Sequence, residues 1–124
     1  MASDSLHEDP ARLGPEIIDQ HRAIVSLMEE LEAVDWYNQR AKATDNPELR
    51  AILEHNRDEE KEHAAMVLEW LRRSDPKLDE HLKTFLFTDG PVTGIEAANG
   101  TEVAGSDGSL GSGSLRPAME QVTK

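Results

Sequence analysis

The 124-residue chain has no cysteine, which excludes disulfides, thiolate zinc sites and cysteine-held iron–sulfur clusters. That absence also fits a reducing compartment. Bases are scarce: 13 Lys and Arg stand against 25 Asp and Glu, a formal charge of −12. Such a balance disfavours nucleic acid or an anionic membrane as partner, because each needs a basic surface. It suits a protein that gathers cations, although acidic solubility is the commoner origin of a charge of this sign. No apolar run approaches the roughly 20 residues of a membrane helix. Met1 to Pro10 show no basic stretch followed by an apolar one. No Gly-rich loop sits between strand and helix, and no Ser–His or Cys–His nucleophile signature occurs. A histidine-dominated di-iron oxygen carrier would need more seam histidines than His63 alone. The expectation is a soluble, cytoplasmic, small helical protein.

What the chain does have is helical rhythm. Leu13, Ile17, Ile24, Leu27, Leu31 and Val34 recur at steps of three and four, with Gln20 at the missing step. They predict one long helix from about Arg12 to Lys42. Thr44-Asp45-Asn46-Pro47 breaks it, with Asn46 or Asp45 as N-cap and Pro47 in the next first turn. A second helix, Pro47 to about Arg73, continues the rhythm through Leu49, Leu53, Asn56, Glu60, His63, Val67 and Trp70. A short link between two long helices predicts an antiparallel hairpin. Ser74-Asp75-Pro76 reads as a cap before a shorter helix over Lys77–Phe87. Asp89-Gly90-Pro91 then turns the chain before a last apolar piece, Val92–Ala98.

The fold class is therefore all-α. Residues 1–98 are read as a helical hairpin domain with short C-terminal helices. Residues 99–124 are read as a flexible, disordered tail, since five of the eight glycines fall there and no aromatic does.

Chemistry enters with Glu60-Lys61-Glu62-His63. Glu60 and His63 are three residues apart, so on a helix they share a face and can reach one metal. A carboxylate-bridged di-iron site in a four-helix bundle uses two such Glu-x-x-His pairs and one Glu from each of the other two helices. Glu30 on the first helix supplies the second element. One chain then holds half of a ligand set, and two chains must dimerise into a four-helix bundle to complete it. The alternative is a Glu bridged to Arg or Lys across a dimer interface, with His63 a satisfied core histidine. Tyr37 lies one heptad after Glu30 on the same face, where a phenol can hydrogen-bond a ligand or pass an electron, or simply pack. Glu29, Glu32 and Trp36 form a further stripe on the first helix. His55, Glu59, Glu62 and Met66 form a similar one on the second. They read either as a solvated charged face or as an interface carrying a cation path. His7, His21 and His81 are left without a role.

Two long runs then point to a family. His21 to Tyr37 and His55 to Met66, extended by Leu68–Arg73 and Phe85–Pro91, closely resemble the encapsulated ferritins over roughly residues 7–98. The resemblance implies a ferroxidase that oxidises Fe²⁺ to Fe³⁺ between two half-ferritin chains, within a ring-shaped decamer that has no mineral cavity. It makes Glu30, Glu60 and His63 the ferroxidase ligands and Tyr37 their neighbour. Glu29, Glu32, Trp36, His55, Glu59 and Glu62 fall at positions linked to metal access or a secondary site, where other divalent ions such as Ca²⁺ are also expected. In the tail, Gly108 to Arg116 looks like the peptide that docks such cargo inside an encapsulin shell, with Leu110 and Leu115 each filling an apolar pocket. The alternative is a Gly/Ser linker with two stray leucines. Ser112 stands where an apolar Ile is typical, a loss of roughly 1.5–3 kcal/mol of contact, and eight further residues, Pro117–Lys124, follow. The competing functional class is a non-catalytic helical dimer whose buried acids are structural.

Overall fold

Proline opens three of the four helices in the computed structural model, which describes residues 5–105, with side chains through residue 99. The helices are α1 (Pro10–Ala43), α2 (Pro47–Ser74), α3 (Pro76–Phe85) and α4 (Val92–Gly105). A first-turn N–H has no intrahelical acceptor, so proline loses nothing there and its fixed φ suits the helix. Side-chain caps satisfy other first-turn donors: Asp9 Oδ1 accepts from Ala11 N at 3.0 Å, and Asn46 Oδ1 accepts from Leu49 N at 2.9 Å. Among the described residues no helix is long and apolar enough to cross a membrane.

Three expected boundaries shift. The first long helix is interrupted at Gly14, which sits at φ 81°, ψ 163° just before Pro15. Proline disfavours helical backbone in the residue before it, and this conformation is open to glycine at little cost. The third helix stops at Phe85, two residues short of the expected end, because Phe87 turns to φ 62° and leaves the right-handed region. The fourth helix continues through Gly105, past the expected end at Ala98. Its glycines signalled a linker but do not forbid helix; they only lower its propensity. The remaining tail, including Gly108–Arg116, lies outside the described residues.

The structure divides into two units between Pro76 and Lys77. In the first, α1 and α2 form the antiparallel hairpin. Gln20, Ala23, Leu27, Glu30, Val34, Tyr37 and Ala41 make the inward stripe of α1. Arg50, Leu53, Arg57, Glu60, Ala64, Val67, Leu71 and Ser74 make that of α2. Every one of these is buried or half-buried, and the steps of three and four match those of packed antiparallel helices. Cross-links confirm the register: Gln20 Nε2 donates to the Ser74 carbonyl at 3.2 Å, and Arg57 Nη1 donates to Asn38 Oδ1 at 3.0 Å.

The apolar seams seen in the sequence are each split by this packing. On α1, Leu27 and Val34 turn inward, while Ile17, Ile24 and Leu31 are 48%, 46% and 54% exposed. On α2, Leu53, Glu60 and Val67 turn inward. Leu49, Ile52, Met66 and Trp70 form an exposed flank with His63 among them. The two flanks lie on opposite sides of the hairpin. Ala23 and Ser26 border a groove with Met66, Val67 and Trp70. The heptad Ile17-Ile24-Leu31 instead leads to Asn38, on the side that Arg57 reaches.

In the second unit, α3 carries the i,i+3 pair Lys77–Glu80 at 2.9 Å and the i,i+4 pair Lys83–Asp79 at 3.1 Å. Its end is closed by Thr88 Oγ1, which donates to the Phe85 carbonyl at 2.6 Å.

Arg50 holds the hairpin turn. Its Nε donates to the Ala41 carbonyl at 3.0 Å and its Nη2 to the Thr44 carbonyl, so α2 caps the last turn of α1. Hydrogen bonds to a charged group contribute about 1.5–3 kcal/mol, and the low end applies to this partly exposed side chain. Arg50→Met is expected to lower the urea midpoint, with a loss of about 1.5 kcal/mol and an unchanged m-value. An unchanged midpoint would show that the turn holds without the guanidinium.

Candidate metal centre

The hairpin's register decides what meets. Glu30 lies thirteen residues before the end of α1, and Glu60 lies thirteen residues after the start of α2. An antiparallel turn between them brings both to one level, roughly 20 Å from the turn at about 1.5 Å per residue. His63, one turn beyond Glu60, then rises beside them from the exposed flank. Glu30, Glu60 and His63 each offer a ligand atom, and all three atoms lie within 4.8 Å of one another. His63 Nδ1 is 3.2 Å from Glu60 Oε1 and 3.6 Å from Glu30 Oε1.

The protonation of this cluster follows from crowding two carboxylates. The Glu30 carboxyl is held above its ordinary range, chiefly by its hydrogen bond to Glu60, then by partial burial and by the Glu60 charge. The same hydrogen bond, with a further one from His63, holds Glu60 below the ordinary range. A proton taken up by the pair therefore goes to Glu30 first, with Glu60 as its hydrogen-bond acceptor. His63 is raised above the usual imidazole value, first by its hydrogen bond to Glu60 and then by the charges of Glu30, Glu60 and Glu59. Protons on Glu30 and His63 are therefore what a metal must compete with at this cluster. A divalent cation would replace both, and the donor set fits one: two carboxylate oxygens and an imidazole nitrogen.

The other singled-out residues are placed as follows. Tyr37 is half-buried in the inward stripe seven residues after Glu30, and its ring lies 5.6 Å from the Arg40 guanidinium carbon. Trp36 is half exposed, with its ring 5.9 Å from the same carbon. His55 Nε2 pairs with Glu59 Oε2 at 3.4 Å. Glu29 and Glu62 are exposed and Glu32 is half-buried. Within one chain this second set does not converge: among the described residues, Glu30, Glu60 and His63 are the one group of three acids or histidines close enough to share a cation. Arg40 was not singled out by its sequence, although its i+3 and i+4 spacing from Tyr37 and Trp36 carried the signal.

A helical hairpin that sets one Glu beside a Glu-x-x-His pair is ferritin-like in architecture and in donor set. The EncFtn-like family model matches residues 5–89, and the chain belongs to that family. It is 60% identical over 127 residues to the encapsulated ferritin-like protein of Rhodospirillum rubrum, covering 94% of this chain and 91% of that one. It is 34% identical over 84 residues to the encapsulin nanocompartment cargo protein EncC of Myxococcus xanthus, covering 68% of this chain and 65% of that one. A crystal structure of a Nitrosomonas europaea protein is similar at a TM-score of 0.69 and 60% identity, covering 71% of this chain and 97% of that one.

Proton competition yields a pH prediction. Metal binding needs His63 neutral and the Glu30–Glu60 proton gone. Since His63 is raised, affinity is expected to stay low below that raised value and to climb as pH passes above it. Calorimetric titration with Zn²⁺ as a redox-silent probe, in two buffers of different ionisation heat, should show proton release on binding. Binding with no proton release and no pH dependence would remove these three residues as the ligands.

Proposed function

We propose that the chain is a ferroxidase, oxidising Fe²⁺ to Fe³⁺ at a di-iron centre built between two copies, for iron storage and detoxification inside an encapsulin nanocompartment. The observation that carries this reading is the convergence of Glu30, Glu60 and His63 within 4.8 Å. Two copies would bring together four carboxylates and two imidazoles, the set that a di-iron carboxylate bundle uses. Iron is the substrate, and dioxygen is the acceptor of its electrons. Glu30 and Glu60 supply hard oxygen donors suited to both oxidation states, and His63 supplies a neutral nitrogen once its proton is gone. Tyr37 stands by to hydrogen-bond a ligand or to pass an electron. Glu29, Glu32, Trp36, His55, Glu59 and Glu62 form the access or secondary set, open to iron in transit or to Ca²⁺. Gathering that set also needs a second copy, because one chain leaves it spread along two helices.

Burial supports the assembly. Among the described residues the buried apolar side chains are Ala41, Ala64 and Leu71. That is too small a core for a hairpin to stand alone. The α2 flank, with Met66 62% exposed and Ile52 51% exposed, surrounds His63. A second copy covering it would complete the centre and enclose the ligands in one step. The opposite flank, Ile17-Ile24-Leu31, offers a second and different interface. Two self-complementary interfaces on opposite faces let assembly continue beyond a dimer, into a ring where the rotation between copies closes. The decameric count follows from the family resemblance. Association with an encapsulin shell is supported by the names of the two relatives, with a cytoplasmic location and Gly108–Arg116 as docking peptide proposed alongside it.

Three measurements test this reading. Aerobic Fe²⁺ oxidation, followed by ferric absorbance, should run well above the buffer rate and fall to it in Glu60→Ala and His63→Ala. A rate equal to buffer in the wild-type chain favours a non-catalytic helical dimer. Native mass spectrometry should show more dimer and higher assemblies with divalent metal than without, since metal binds the assembled form. A metal-independent monomer contradicts a shared centre. Truncation after Gly105 should spare oxidation and abolish co-purification with an encapsulin shell, as should Leu110→Ala with Leu115→Ala. Loading of the truncated chain would reduce the tail to a linker.

A further inference from the structure

Trp36 and Tyr37 are neighbours in sequence, so on α1 their side chains leave the axis about 100° apart and do not face each other. One group nevertheless touches both. The Arg40 guanidinium carbon lies 5.6 Å from the Tyr37 ring centroid and 5.9 Å from that of Trp36. Arg40 follows the two rings by three and four residues, the spacings at which helix side chains meet. Both distances are within the range of cation–π attraction, and a planar guanidinium suits ring faces better than an ammonium does. The neighbouring polar side chain does not compete for the rings: Gln39 Nε2 is turned back to Asp35 Oδ1 at 3.1 Å.

The two rings serve different parts of the hairpin. Tyr37 is half-buried in the inward stripe that also carries Glu30, while Trp36 is half exposed and belongs to the access set. An exposed indole next to a phenol would otherwise be free to change rotamer and draw the helix-face packing with it. We infer that Arg40 is a positioning residue, a clamp that ties Trp36 to Tyr37 and holds the phenol in the stripe that carries Glu30. Its effect on rate rests on the ferroxidase reading; its contact with the rings does not. Arg40 touches neither ligand nor iron and acts through Tyr37. Loss of the clamp lowers the fraction of chains with Tyr37 in place and so lowers kcat. Iron affinity, set by Glu30, Glu60 and His63, stays where it was.

The chain has a single tyrosine, so ring-labelled tyrosine gives one NMR signature that belongs to Tyr37 alone. In the full-length protein, Arg40→Met keeps the stem and removes the charge. It is expected to move the Tyr37 ring resonances toward free-tyrosine positions. It should also lower kcat roughly two- to fivefold, the value of an exposed cation–π contact, with KM for Fe²⁺ unchanged. Arg40→Lys should restore part of both. Unchanged Tyr37 resonances in Arg40→Met overturn the clamp, and moved resonances with unchanged kcat overturn its positioning role. An unchanged thermal midpoint in Arg40→Met would separate this from a loss of fold. Should wild-type protein fail to oxidise Fe²⁺, the ferroxidase reading falls, and the ring resonances alone then decide whether Arg40 holds Tyr37.

Discussion

The facing of Glu30 and Glu60 across the hairpin constrains nearly everything around it. Two carboxylates at one level of an interhelical stripe repel each other and lose hydration together, so positive charge must come to them. In the chain by itself the response is an upward shift of Glu30 and of His63, each favouring its protonated form. A divalent ion bound there would take the place of such protons. Small side chains in the same stripe, such as Ala41 and Ala64, are buried, as close helix contact requires. Packing above and below the cluster thus adds to its own His63–Glu60 contact in fixing it.

On the proposed reading, stability and function draw on the same surface. Few apolar side chains are enclosed within one chain, and His63 sits among those that are not. Whatever covers the α2 flank would bury Ile52, Met66 and Trp70 and close the ligand set at once. A conventional single-chain core would have separated the two, leaving a site that forms whether or not a partner is present. Here mass action would link metal occupancy to association.

Charge is distributed in keeping with this. The acids outnumber the bases almost two to one, yet several arginines are committed to geometry. Arg50 caps α1 across the turn, and Arg57 ties the two helices through Asn38. Glu69 receives both Arg72 and Arg73 at the end of α2, which holds its carboxyl down at about 2. The surplus acids elsewhere draw cations without supplying the specific site, because surface charge is diffuse and screened.

Much of this was legible in the linear chain. Helix type, the turn at Asn46-Pro47, the hairpin and the Glu30/Glu60/His63 grouping all follow from local periodicity and from counting equal distances on either side of a turn. Those are properties of a regular helix, and they survive whatever packs around it. The break at Gly14-Pro15, the left-handed Phe87 and the extension of α4 were not legible, because each depends on backbone choices that composition only biases. The split of each apolar seam was hidden for a different reason. A step of three and four marks a stripe, but neighbouring stripes on one helix differ by a fraction of a turn. Only the packing of α1 on α2 decides which one turns inward. Residue spacing alone therefore determined that three ligands share a level, while tertiary structure decided that Glu30 and Glu60 face inward and His63 stands at the open flank.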